Sequence, residues 1–200
     1  MKLSDTTKKI FALIPEGIIP NAEDKAIIRK YRVLLASYED SMVTGFLNMA
    51  YENNKLTIHN RALREHTLRQ WYRLTIAGNF DEYYWDYQVL TGVEQVSDDM
   101  SNAVMLSMRG WIMNFFQKNL VLDLDITEAI KVLTTLQKLQ SIASILTIVS
   151  SILTKKEAIR LALGLNDTIL SQLVDMQINT LLQDGQTQLS TPTKQLEKMI

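Results

Sequence analysis

The sequence predicts an all-α protein, and three observations carry that expectation. Apolar residues recur at spacings of three and four through most of the chain, and no alternating run reads as a strand. Only seven glycines and three prolines interrupt 200 residues.

The elements follow in order. The opening "MKLSDTTKKIFALIPEG" has Asp5 and a five-residue apolar patch, without the long apolar region of a signal peptide, and reads as mature sequence. After "IPEGIIPN", Asn21 is placed to cap a helix with Asp24 at its third position. That helix is expected to run, with a bend, until Asn53 and Asn54. A second helix covers Asn60 to Ile76 and is stopped by Gly78, and a third runs from Asp81 to Thr91. "SNAVMLSMRGWIMNFFQKNL" is a longer helix, and the acid-rich turn "VLDLD" precedes another, from Ile126 to about Leu153.

Beyond it the chain restarts with "KKEAIRLAL", breaks at Gly164, and resumes as "NDTILSQLVDMQINTLLQDG". The expected organisation is therefore a helical body over 1–153, a helical extension over 154–185, and a polar tail over 186–200 in which Thr191-Pro192 starts a short helix. The most apolar stretch, "SIASILTIVSSIL", has 13 residues, four of them serine. A bilayer core needs about 20, so the stretch reads as a buried helix and no membrane is implied.

Composition excludes several chemistries. A net charge of −1 provides no electrostatic basis for binding nucleic acid. With no cysteine there is no disulfide, thiolate nucleophile or thiolate metal site, which suits a reducing cytoplasm. Neither a nucleophile–base pairing nor a phosphate-binding glycine loop is visible, so the chain is not read as an enzyme. The only histidines, His59 and His66, are seven apart. Two helical turns separate such a pair by about 10 Å, too far to share one metal ion on a straight helix. The acids Asp81, Glu82 and Asp86 lie where a helix N-terminus favours them. The aromatics from Trp71 to Tyr87 have no basic stripe beside them, so they read as core and pocket lining. Met100, Met105, Met108 and Met113 suit a core that adapts to an irregular cavity.

The stretch "TLRQWYRLTIAGNFDEYYWDYQVLTGVEQV", Thr67 to Val96, combines a Thr-Leu pair, Trp71, Gly78, the pair Phe80-Asp81, Tyr84, and Gly92 three residues before Gln95. This ungapped pattern resembles the sensor globins, that is, the protoglobins and the globin domains of globin-coupled sensors. "EAIKVLTTLQKLQSIASIL" is similar to the last globin helix of that family, so the resemblance spans roughly Asn21 to Leu153. It implies a globin-like helical sandwich carrying an extra C-terminal helical extension. It also implies a pocket whose candidates are Gln95, His66, Phe46, Leu47, Trp71 and Tyr84.

Gln95 stands where the family carries its proximal histidine, and an amide is a poor iron ligand beside an imidazole. Leu47 stands where family members often carry a gas-binding tyrosine, and it has no donor. The chain thus resembles the haem-free branch, similar to the non-haem globin domains of stressosome proteins. The implied function is a non-enzymatic sensor with no cofactor and a small apolar ligand in the vacated pocket, signalling to a downstream protein or output domain. The alternatives are a haem protein binding a diatomic gas through His66, and a purely structural interaction module.

The helix from Ile126 carries one apolar stripe through Val132, Leu139, Ile142, Leu146, Val149 and Leu153, and a second through Ile145, Ile148 and Ile152. Two apolar faces need two partners: one stripe covers the core, and the other is met either by the extra C-terminal helices or by a second copy of the chain. In sensor globins the last two globin helices form a dimeric four-helix bundle. The expected interface is Trp111, Leu139, Ile142, Leu146, Val149 and Leu153 of a homodimer.

Overall fold

The computed structural model describes residues 3–52, 61–97 without the side chains of 95 and 97, and 102–179. His59, the Asn53–Asn54 stop and the tail over 186–200 lie outside the described residues. The described residues are helical and contain no strand. The elements are α1 (Leu3–Phe11), a 3-10 turn (Glu16–Ile18), α2 (Ala22–Lys30), α3 (Arg32–Ser37), α4 (Glu39–Glu52), α5 (Arg61–Ala77), α6 (Glu82–Ser97), α7 (Asn102–Asp123) and α8 (Ile126–Leu163). The chain divides into two compact units, Met1–Thr154 and Lys155–Ile200.

Helix α1 was not evident in the sequence. It is held on α6 by the edge-on contact of Phe11 with Trp85, 5.1 Å between centroids, and by a hydrogen bond from the Thr7 hydroxyl to Asp86. Local propensity in nine residues is weak, so this helix depends on the surface it docks against.

The single bent helix expected after Asn21 is divided at Tyr31 and Tyr38 into α2, α3 and α4. Its start follows the capping-box expectation: the Asp24 N–H donates to the Asn21 side chain at 2.9 Å, and the Asn21 N–H donates to the Asp24 carboxylate at 3.0 Å. Asp24 also ties α2 to α8. It accepts from Thr135 Oγ1 at 3.0 Å and from Lys138 Nζ at 2.9 Å.

Burial pushes the Asp24 pKa up, but these donors outweigh it and hold the carboxyl below its ordinary value. Because the folded-state pKa lies below the unfolded one, the stability Asp24 contributes is complete above pH about 4. It is lost as the pH falls through the lower folded-state value. Asp24→Ala is expected to cost about 2–3 kcal/mol at pH 7, summing a lost cap and lost charge-assisted bonds. Urea melts at pH 7 and pH 3 test this: the deficit against wild type should shrink at the lower pH.

Gly78, at φ 67°, closes α5, and α6 continues to Ser97, beyond the Thr91 expected from sequence. Asp125 caps α8, accepting from the N–H groups of Thr127 and Glu128 at 3.0 and 3.1 Å. The stop expected near Leu153 is absent, because "TKKEAIRLAL" contains no helix breaker and the Glu157–Arg160 pair supports the turn it spans. The helix ends instead at Gly164, φ 62°, in a Schellman arrangement: Leu165 N–H donates to the Arg160 carbonyl at 3.0 Å and Gly164 N–H to that of Leu161 at 3.4 Å. Residues 167–179 are helical again, with Asn166 as cap.

Within the single chain, part of the expected interface set is already used by the packing of α8. Leu139, Ile142 and Leu146 are buried in the chain's own core, and Trp111, Val149 and Leu153 pack partly buried against the same core. Residues 142–151 are all buried or half-buried within the chain, Ile145 and Ile148 of the second stripe among them. Helices α6 and α7 lie close against this helix and cover the first stripe, while Ile145 and Ile148 of the second are half-buried and Ile152 is exposed. Its 38 residues are long and apolar enough to cross a membrane, which the 13-residue reading had excluded, yet 44% of the relevant window is already buried in the protein. Under half of that window is thus used by the protein core.

Candidate functional site

A half-open pocket of about 140 Å³ lies within the first unit, lined by residues of α4 to α8. Helix α4 contributes Phe46 and Leu47, and α5 contributes Arg64, Thr67, Leu68 and Trp71. Spacings of three and four place those α5 residues on one face. Helix α6 adds Tyr87, Gln88, Thr91 and Glu94, again at helical spacing, while α7 adds Met105, Met108, Arg109 and Ile112 and α8 adds Gln140.

Close contact between α6 and α8 shapes one wall. A Cβ on Gly92 would meet Ser150 Oγ at 2.0 Å and the Thr147 carbonyl oxygen at 2.2 Å. Small polar side chains on α8 exploit the gap: Ser150 Oγ donates to the Val89 carbonyl at 3.0 Å, and Thr147 Oγ1 approaches that of Gln88 at 3.3 Å.

The polar groups of the wall concentrate on one side. Arg109 donates from Nη2 to Thr147 Oγ1 at 2.7 Å and from Nη1 to Ser144 Oγ at 3.2 Å and the Gln140 carbonyl at 3.4 Å, with Met105 Sδ at 3.9 Å. All are neutral acceptors. No carboxylate among the described residues pairs with it. Burial lowers its pKa to about 10, so it stays charged near neutrality. Gln88 is fully buried and both polar atoms of its amide lack a partner in the protein; Gln140 Nε2 is equally unpartnered. Burying such groups unsatisfied is costly, so a cluster of three around one cavity needs an explanation.

Of the pocket residues expected from sequence, Phe46, Leu47 and Trp71 line this cavity. The side chain of Gln95 lies outside the described residues. His66 does not reach the cavity: it is exposed on α5. It stands two residues from both Arg64 and Leu68, about 200° around the helix, which turns it away from the lining face. Tyr84 is also absent from the lining. It sits one turn before Gln88 in the core, its hydroxyl 3.2 Å from Thr75 Oγ1, and burial raises its pKa to about 12.

Gln88, Gln140 and Arg109 were missed by sequence reasoning. The available signal was Arg109 itself, a lone charge four residues after Met105 and three before Ile112 in an otherwise apolar helix face.

Among the described residues no histidine lines the pocket, so the described lining offers no imidazole to ligate a haem iron. No group of three or more metal-ligating side chains occurs among the described residues. No family model matches the chain, and no curated protein or solved structure matches it at a significant level.

Proposed function

We propose that the protein is a haem-free, non-enzymatic sensor or regulatory domain of globin-like character, whose pocket takes a small ligand with an apolar body. The observation that carries this reading is the pocket itself: a half-open, mainly apolar space lined by five helices, on the elements that bear the sensor-globin pattern. Two lining residues, Phe46 and Leu47, occupy the positions where a gas-binding pair would stand in that family. The described lining offers amides, hydroxyls, the guanidinium groups of Arg64 and Arg109 and the Glu94 carboxylate, with no imidazole among them, which suits recognition better than nucleophilic catalysis.

Signal output follows from the same wall. Gln88 and Thr91 on α6 touch the cavity, while Gly92 between them and α8 leaves no slack against Thr147 and Ser150. A ligand that moves α6 therefore moves α8, the helix leading to the C-terminal residues. Self-association and a downstream protein belong to this proposal, as does a cytoplasmic location, which the absence of cysteine supports.

Adding haem to the purified protein tests the haem-free reading. The expected result is no stoichiometric Soret band. A stoichiometric band that disappears in His66→Ala overturns it.

A further inference from the structure

Resting on the reading of the cavity as a ligand site, we propose that its ligand is a small amphiphile with an apolar body and a single carboxylate, the carboxylate seated against Arg109, Gln88 and Gln140. The apolar part of the requirement comes from the rest of the lining, where Phe46, Leu47, Leu68 and Ile112 offer no polar partner. The anionic part comes from three independent observations.

Arg109 is a half-buried cation whose partners among the described residues are two hydroxyls, a carbonyl and a thioether, so its charge is spread over weak acceptors and cancelled by none. The Gln88 amide is enclosed completely and its Nε2 donor is unspent. Gln140 Nε2 is a second unspent donor on the same cavity. Donors of this kind, a planar guanidinium flanked by amides, match the lone pairs of a carboxylate, and a low-dielectric surround strengthens each bond they make. A cationic head is disfavoured, because it would add a second unpaired positive charge beside Arg109.

The wall as a whole agrees in sign, with Arg64 and Arg109 against Glu94. Size agrees as well. A space of about 140 Å³ suits a ligand of benzene size or slightly longer and excludes a long acyl chain held entirely inside. Hexanoate is therefore the natural probe, with 1-hexanol and hexylammonium as matched neutral and cationic chains and acetate as the head group alone.

Binding is read from the tryptophan fluorescence of the full chain, since Trp71 lines the cavity, and from the shift in melting temperature. Hexanoate is expected to bind at least about tenfold tighter than 1-hexanol, the effect of charge-assisted hydrogen bonds to a half-buried cation. Hexylammonium is expected to be the weakest of the three chains. Arg109→Met should erase the preference while leaving 1-hexanol binding in place. It should melt no lower than wild type, because it removes an uncompensated half-buried charge. Gln88→Leu should reduce the preference while retaining Arg109.

Equal affinity for hexanoate and 1-hexanol overturns the anionic assignment and leaves the cavity reading standing. An effect of acetate as large as that of hexanoate overturns the amphiphile in favour of a bare anion. Failure of all the chains to bind overturns both this assignment and the cavity reading beneath it.

Discussion

Leu146→Asp is expected to abolish folding of the chain rather than to separate two copies of it. Leu146 has 0% exposure and sits in a core with Leu139 and Ile142. Truncation of such a side chain to alanine removes its transfer energy and leaves a cavity, costing about 2–5 kcal/mol. Aspartate adds an unpaired charge where no cation of the described residues waits, and the sum approaches the whole stability of a typical domain, about 5–15 kcal/mol. Far-ultraviolet circular dichroism of Leu146→Asp should show no cooperative melt, and Leu146→Ala should melt cooperatively at a lower temperature. A Leu146→Asp protein that stays fully helical but halves its mass by light scattering would return the residue to a dimer interface.

The second large effect is expected at Gly92. An alanine Cβ there would lie 2.0 Å from Ser150 Oγ and 2.2 Å from the Thr147 carbonyl oxygen. The serine can rotate away, but the carbonyl belongs to the backbone of α8 and retreats only if the helix does. Gly92→Ala should therefore destabilise by about 3 kcal/mol or more, at the upper end of overpacking costs. Adding Ser150→Ala should not rescue it, because the carbonyl contact persists. Gly110 is the control: it too is inside a helix, but a Cβ there meets nothing within 4 Å. Gly110→Ala should stabilise by about 0.5–1 kcal/mol through helix propensity alone. Urea denaturation of the two variants should thus show opposite signs. A Gly92→Ala protein as stable as wild type would mean that α6 and α8 are not in register contact here.

Gly92 also explains how the sequence pattern and the structure relate. In the sequence it is one fixed point of the sensor-globin resemblance, three residues before Gln95. In the structure it is the place where one helix backbone passes another, and the adjoining Gln88 and Thr91 form the cavity wall. The residue type was legible and its reason was not, because the reason resides on α8, some fifty residues away.

What the sequence determined by itself is the local grammar. The capping box at Asn21 and Asp24, the stop at Gly78, the start after "VLDLD" and the stop at Gly164 all depend on residues within one turn of each other, and all are found where the pattern placed them. Phe46, Leu47 and Trp71, expected in the pocket from the sensor-globin resemblance, line it. The tertiary structure alone decided the rest. It supplied the partner that makes α1 a helix, and it buried Leu139, Ile142 and Leu146 of α8 in the chain's own core while leaving Ile152 of the second stripe exposed. It turned His66 outward and Arg109 inward. Periodicity states that a helix has an apolar face and a polar one; which face meets which neighbour, and whether a charge on it meets a counter-charge, is settled by contacts between residues far apart in the chain.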